Sequence, residues 1–456
     1  MAMERGGPAG HGQRPSMRAA LVVFKFPLYR QLWISSAFAF MGMQMLQIAR
    51  ALLAWDLTHS FGAIGLVSLS FGLPMLAFSL LGGAVADRVD KRNLTLVTNT
   101  LVGVLAAVTA VMVSTGYMTF EILIIVGLLQ GTLSALGMPA RTPLMAEVVG
   151  QENMMSAIAM SNTAMNGTRL FGPALAGIIA GAWGVEWAYA AQAVAYVLAT
   201  VTMLPVPSGL GAAARANRAP ASVIKEIGGG LRYVTGNSTL RLLMAMMFIT
   251  TFFAMPYIML LAGFVQRDLG ESKEAYGWLQ SISGIGALVG SLAVATVATF
   301  DRKPLLQWVA GLLGGLGLIL LAVLSAPFGF AGAIAATLFL GLFLTAYQTL
   351  NSTMIMDAAE PQYYGRVMSI NMLTFSAMPI MAAPLGAVAD RIGASTLFVV
   401  QGALVIGFML LVGLMSARYT FGRQTPRTFE MGPQDVQAAR PATAGGGYAG
   451  VSARRP

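Results

Sequence analysis

Long apolar segments dominate this chain and leave few folds open to it. Residues 64–85 and 94–113 carry no charged side chain, and only 10% of the 456 residues are charged, against about 25% in a typical soluble protein. A helix of about 20 apolar residues crosses the hydrocarbon core of a bilayer. Helices also satisfy their own backbone hydrogen bonds, which lipid cannot do. The pattern therefore predicts an all-α, polytopic membrane protein.

Twelve spans can be placed along the chain. Their expected limits are 32–55, 62–86, 94–114, 119–138, 157–181, 187–205, 240–264, 276–298, 304–325, 331–350, 368–388 and 395–415. An even number puts both termini on one side of the membrane. Most Lys and Arg residues lie in loops on that side, whereas Arg267, Lys273 and Arg391 lie on the other. The positive-inside rule then predicts a multi-pass protein of the plasma (cytoplasmic or inner) membrane with both termini cytoplasmic.

Composition also argues against several function classes. The chain has no cysteine, and its two histidines, His11 and His59, lie outside the expected spans. We therefore expect no enzymatic site, no metal and no cofactor. A Gly-x-x-x-x-Gly-Lys-Ser/Thr loop is missing, which disfavours an ATP-driven pump, and we expect no cleavable signal sequence. The net charge of +10 fits contact with anionic lipid better than binding of nucleic acid.

Two correspondences indicate an internal duplication. Asp87 ends the second span and Asp301 ends the eighth, 214 positions later. Met155-Ser156 enters the fifth span, and the same pair recurs 213 positions later as Met368-Ser369, which enters the eleventh. Two similar halves of six helices imply a binding site between them near mid-membrane, with transport by alternating access.

The duplication sets the expected domain limits. These are a cytoplasmic segment 1–30, a first six-helix bundle 31–205, a cytoplasmic linker 206–238, a second bundle 239–416 and a disordered cytoplasmic tail 417–456. Within the linker, the sequence VIKEIGGGLRYV has the pattern of a short amphipathic helix on the membrane surface. Its three glycines weaken that prediction.

The turn between the second and third spans concentrates charge in an otherwise uncharged region. The stretch GGAVADRVDKRN, Gly82 to Asn93, holds five charged residues. A short reversal exposed to water would be polar in any case, and this is the simpler reading. The stretch nevertheless resembles the cytoplasmic signature of the major facilitator superfamily, Gly-x-x-x-Asp-Arg-x-Gly-Arg-Arg. Asp90 replaces the second Gly, and the matching residues are Gly83, Asp87, Arg88, Lys91 and Arg92.

The resemblance covers about 27–416, and residues 137–181 resemble the branch that contains enterobactin-type siderophore exporters and drug-efflux proteins. It implies a gate in which Asp87 meets the start of the eleventh span when the cytoplasmic side is closed. Arg88 and Arg92 would brace that contact. By the duplication, Asp301 would face the start of the fifth span. The expected gating residues are Gly83, Asp87, Arg88, Lys91, Arg92, Asp301, Arg302 and Arg366.

Polar residues inside the spans are candidates for the substrate pathway, because charge is costly in the membrane. Arg50 lies three positions after Gln47 and shares a helix face with it. It would line the pathway, extend to the outer surface or pair with Asp56. The expected pathway residues are Gln44, Gln47, Arg50, Gln130, Arg169, Tyr257, Gln280, Tyr347, Gln348 and Asn371.

Two further features bear on the mechanism. Gly172, Pro173 and Gly177 resemble the family's Gly-Pro exporter motif, without its usual double Gly, and predict a kinked, closely packed fifth helix. Drug–proton antiporters of the superfamily often carry an Arg in the fourth span, where this chain has Gly127. No carboxylate lies deep in a span, so the candidates for proton coupling are Asp56 and Glu121, near outer span ends.

Together these features predict a secondary active exporter of an amphipathic small molecule, either a drug-like compound or a siderophore, driven by protons. One alternative is an importer or lysophospholipid transporter on the same fold. Another, from a different class, is a membrane receptor that transports nothing. The expected partners are a small-molecule substrate, protons and membrane lipids, with no nucleic acid, and we expect a monomer.

Overall fold

The computed structural model describes residues 21–209, 223–296, 302–360 and 363–415. Several predictions fall outside these residues. They include most of the expected N-terminal segment, part of the linker and the tail. One expected gating residue, Asp301, also lies outside the described residues. At Gly83, Asp87 and Arg88 the structure describes the backbone alone.

The described chain is folded into helices that run back and forth through the molecule. In chain order they are α1 (Pro27–Thr58), α2 (Phe61–Arg88), α3 (Lys91–Ser114), α4 (Phe120–Val149), α5 (Met154–Ala182), α6 (Val185–Met203), α7 (Val223–Gly236), α8 (Ser238–Asp268), α9 (Lys273–Thr296), α10 (Lys303–Ala358), α11 (Tyr364–Ser376), α12 (Met378–Ile392) and α13 (Ala394–Met415). The all-α membrane fold is confirmed.

Helix ends define two faces. We call the end at which α1 begins, at Pro27, the near face, and the end at which α1 finishes, at Thr58, the far face. In the described ranges, eight helices are long and apolar enough to cross a membrane. One of them, α10, has 56 residues and a non-helical Gly329 at φ 54°, so it can cross twice. With α5, α6 and the α11–α12 pair, the helices are consistent with twelve crossings.

The helices pack into two bundles, and the same helix–helix contact occurs in each of them. In the first bundle α2 packs on α4, and in the second α9 packs on the latter part of α10. A Cβ at Gly127 would overlap the Ser70 hydroxyl, and a Cβ at Gly341 would overlap the Ser283 backbone. The two serines are 213 positions apart and the two glycines 214. This repetition supports the duplication, and it explains why Gly127 cannot be replaced by an embedded Arg.

The helices differ from the predicted spans in two places, and the short helix predicted in the linker is present. The ninth and tenth spans form one element, α10, because only Gly329 leaves helical geometry between them. The eleventh span is divided at Ala377 into α11 and α12, since Pro379 has no N–H to continue the helical hydrogen bonds. In the linker, α7 forms despite its three glycines.

At the near face, each bundle has an ion pair between equivalent helices. The Lys91 ammonium at the start of α3 binds the Glu147 carboxylate near the end of α4, and only 4% of the Lys91 side chain is exposed. In the second bundle the Lys303 ammonium lies 2.9 Å from the Asp357 carboxylate, but here 28% and 57% of the side chains are exposed. The two pairs occupy matching places with different burial.

We predict that Glu147→Gln lowers the free energy of unfolding by about 3 kcal/mol, because it leaves the Lys91 charge buried without a partner. The matched variant Asp357→Asn should cost less than about 1 kcal/mol, since its pair is exposed. Thermal unfolding of the purified protein in detergent measures both. Equal losses in the two variants would contradict this view of the near face.

Candidate substrate pathway between the two bundles

Polar contacts at the far face join the two bundles. The Asp56 carboxylate near the end of α1 lies 2.5 Å from the Lys273 ammonium at the start of α9. The Arg267 guanidinium at the end of α8 lies over the Phe61 ring, 4.8 Å from its centroid. The Phe61 N–H donates to the Asp390 carboxylate near the end of α12 at 2.7 Å. Because all of these residues lie at one face, the far side of the interface is closed in this structure.

Beneath the far face, α5 and α9 meet through small residues. A Cβ at Gly177 would lie 2.6 Å from the Cα of Gly277, so the two backbones touch. The Ala174 N–H donates to the Ser281 hydroxyl at 2.9 Å, next to Pro173, which has no N–H of its own. The motif predicted to kink the fifth helix therefore lies at the bundle interface. Its first residue, Gly172, packs against the Gln44 side chain of α1.

A small cavity lies between the bundles just below the closed far face. Gln47 and Arg50 of α1 and Ser68 of α2 line it from one bundle, and Met259 and Tyr276 line it from the other. It has room for about one water molecule. Because both bundles contribute to its wall, the cavity must change shape when they move apart.

Among the described residues that line this cavity, Arg50 alone is charged, and it is 7% exposed. Its guanidinium lies over the Phe71 ring, 4.4 Å from the centroid, and the Tyr276 side chain lines the same cavity. The Nη1 atom has no hydrogen-bond partner among the described residues. Arg50 thus neither extends to the outer surface nor pairs with Asp56, which binds Lys273 instead.

Arg169 of α5 and Tyr257 of α8 each lie beside α9. The Arg169 side chain is exposed. The Tyr257 hydroxyl lies 3.3 Å from the Ser283 hydroxyl of α9. Gly284 also approaches the Arg169 backbone. These residues form a second polar site, nearer to the near face than Arg50.

The other predicted pathway residues lie apart from these two sites or support them. Gln280 donates to the Tyr276 hydroxyl at 3.4 Å, and so positions a cavity residue. Gln348 donates to the Met255 sulfur at 3.5 Å, and Tyr347 packs against Gly311 inside the second bundle. Gln130 and Asn371 are buried, and no described contact places either one in the Arg50 cavity.

The described gating residues make contacts within their own bundle or with the linker. Arg92 donates to the carbonyls of Leu204 and Val206, just beyond α6, at 2.8 and 2.9 Å. The contact with the eleventh span was expected when the cytoplasmic side is closed, and it stays a prediction. Arg366 stacks on Tyr363, 5.4 Å from the ring centroid, and Arg302 is exposed before α10.

The candidates for proton coupling both lie at the far face. Asp56 is held by Lys273, and Glu121 is exposed in the first turn of α4. Only Asp56 therefore joins the two bundles. Sequence reasoning missed Ser68, Met259 and Tyr276 as cavity residues. The position of Tyr276, one helical turn before Gln280, is the signal that could have indicated it.

Comparisons with known proteins agree with this architecture. The sequence pattern of the transmembrane secretion effector family of major facilitator proteins matches residues 18–435. The chain is 23% identical over 377 residues to the staphyloferrin A transporter of Staphylococcus aureus, a match that covers 82% of this chain and 92% of the relative.

Two other relatives and one solved structure are similar. Macrolide efflux protein A of Streptococcus pyogenes is 22% identical, with 82% and 92% coverage. The enterobactin exporter EntS of Shigella flexneri is 23% identical, with 88% and 94% coverage. The crystal structure of the nucleoside transporter NupG superposes with a TM-score of 0.68 at 15% identity, covering 85% of this chain and 99% of that one.

We predict that Arg50→Met raises the thermal stability of the protein without ligand by about 2 °C or more. A buried charge without a counter-ion costs several kcal/mol, whereas the contact with Phe71 returns about 2 kcal/mol. The control Arg302→Met removes an exposed charge outside the spans and should change the melting temperature little. A fall in the melting temperature of Arg50→Met would show that Arg50 has a compensating partner.

Proposed function

Since the chain belongs to the transmembrane secretion effector family of major facilitator transporters, we propose that it is a secondary active exporter of amphipathic small molecules. The observation that carries the proposal is the Arg50 cavity, whose wall comes from both bundles directly beneath a closed far face. A site between two bundles can become accessible from either side of the membrane as the bundles move. One chain supplies the whole wall, so we expect a monomer to suffice.

Transport would proceed by alternating access, with the near face in the cytoplasm. The near face holds Lys91, Arg92, Lys303 and Arg366, which fits the positive-inside rule. The structure would then be the state that is closed to the outside. A ligand would enter from the cytoplasm, pass Arg169 and reach the Arg50 cavity before the far face opens.

The ligand would carry an anionic group on an apolar body. Arg50 has an unsatisfied Nη1 atom, and a carboxylate or phenolate oxygen is its natural partner in a site that excludes water. Phe71, Met259 and Tyr276 offer apolar and aromatic surface beside it. Relatives named for staphyloferrin A, enterobactin and macrolides support export of a drug-like compound or a siderophore.

Protons are the proposed driving ion, and Asp56 is the proposed coupling residue. Its bond to Lys273 joins the bundles at the far face, so the bond must break when that face opens. The freed carboxylate can then take up a proton from the outside. Glu121 makes no described contact with the second bundle, which leaves it without such a role.

Transport in inverted membrane vesicles tests the function. We expect an amphipathic carboxylate dye to accumulate inside the vesicles when their interior is acidic, and we expect a protonophore to abolish the accumulation. Gly177→Leu should abolish uptake because the α5–α9 contact has no space for a side chain. Gly167→Leu on the same helix is the control, since nothing lies within 4 Å of its Cβ position. Uptake that resists the protonophore would contradict proton coupling. Movement of dye out of the vesicles would contradict export and indicate an importer.

We predict that Arg50→Ala raises the KM for a carboxylate dye about tenfold, the loss expected for one charge-assisted contact. The KM for the neutral methyl amide of the same dye should stay within about twofold. Initial rates in the vesicles measure both values. Equal changes in KM for the acid and the amide would show that Arg50 does not recognise the anionic group of the ligand.

A further inference from the structure

One hexapeptide, GAVADR, occurs twice in the chain. It spans 83–88 at the end of α2 and 386–391 at the end of α12. The two copies are 303 positions apart, so the duplication at 213–214 positions does not relate them. The first copy is the one that resembles the major facilitator signature, whereas the second has no place in the predicted cytoplasmic gate.

The two copies end at opposite faces. The helix α2 runs from the far face to the near face, and the α11–α12 pair runs the other way. Transporter halves of this kind contain inverted triplets of helices. In that scheme the second helix of the first triplet, α2, and the second helix of the last triplet, α11–α12, are equivalent units in opposite orientation. Equivalent units can therefore place the same hexapeptide at each face.

The second copy makes a specific contact across the interface. Asp390 accepts hydrogen bonds from the Ser60 hydroxyl at 2.7 Å and from the N–H groups of Phe61 and Gly62 at 2.7 and 2.9 Å. These N–H groups belong to the first turn of α2, where a carboxylate is favoured by unpaired donors and by the helix dipole. Asp390 thus caps a helix of the other bundle.

The glycine of the hexapeptide brings the two helices together. A Cβ at Gly386 would lie 3.0 Å from the Cα of Gly62 and would overlap the Phe61 carbonyl. Further along the same pair of helices, Gly72 fits against Pro379. Any larger residue at position 386 would separate the start of α2 from the carboxylate that caps it.

We propose that each GAVADR segment is a latch, in which its aspartate caps the start of a helix of the other bundle and keeps one face closed. At the far face, Asp390 holds the start of α2 and keeps that face closed. At the near face, Asp87 holds the start of α11 in the same manner when the bundles tilt the other way. Each latch forms only when the other is released, so the pair sets the balance between the two states. This inference goes beyond transport itself, because it concerns the conformational equilibrium without any ligand.

Thiol labelling tests the proposal directly, because the chain has no cysteine. In a Ser68→Cys background, the single thiol lies in the cavity beneath the far face. A membrane-impermeant maleimide is added to intact cells, in which the far face is outside. We expect Asp390→Asn to raise the labelling rate about tenfold, and Asp87→Asn to lower it. The control Glu271→Gln removes an exposed carboxylate at the far face. Its side chain makes no contact with the other bundle among the described residues, so the rate should stay unchanged.

A second pair of variants tests the close helix contact and leaves Asp390 and Asp87 unchanged. Gly386→Ala should raise the labelling rate as Asp390→Asn does, whereas Gly407→Ala should not, since nothing lies within 4 Å of that position. Size-exclusion chromatography of each variant checks that it is folded. The latch is rejected if Asp390→Asn leaves the rate unchanged, or if Asp390→Asn and Asp87→Asn shift it in the same direction. Labelling requires no transported ligand, so a failed transport assay would leave this result intact.

Discussion

The contact between the bundles at the far face is the interaction on which the rest of the structure depends. In lipid, helices gain little from burying apolar surface against one another, so they associate through close packing and a few polar contacts. Gly177 against Gly277 supplies the packing, and Asp56 with Lys273 supplies one of the charges. Such a contact is specific without being strong. It can hold one face closed and still be released within a transport cycle.

The sequence predicted the fold well because lipid imposes strict conditions on the backbone. Uncharged runs of about 20 residues had to be helices, and the structure has helices at every predicted span. The duplication was also visible, and the matching contacts of Ser70 with Gly127 and of Ser283 with Gly341 support it. Exact helix ends were not predictable, because α10 continues through a turn that contains Pro327 and Gly329.

The partners of charged residues could not be predicted, because they lie far apart in the chain. Asp56 was six positions from Arg50, yet its carboxylate binds Lys273, 217 positions away. Arg92 binds the carbonyls of Leu204 and Val206, more than 110 positions away, just beyond α6. The second GAVADR segment was present in the sequence. Its contact could not be predicted, because it depends on α12 ending beside the start of α2.

In the described interface, the charged groups at the far face have partners, whereas the charged group in the cavity keeps an unsatisfied donor. The carboxylates of Asp56 and Asp390 lie at helix ends, where an ammonium group or free N–H donors already satisfy them. Arg50 lies deeper and keeps an unsatisfied donor. A transporter needs two states of similar free energy, because a ligand can shift the equilibrium only by the difference in its affinity for them. Two latches of the same chemistry at opposite faces would supply that similarity, and an unpaired arginine between them would let an anionic ligand decide which one opens.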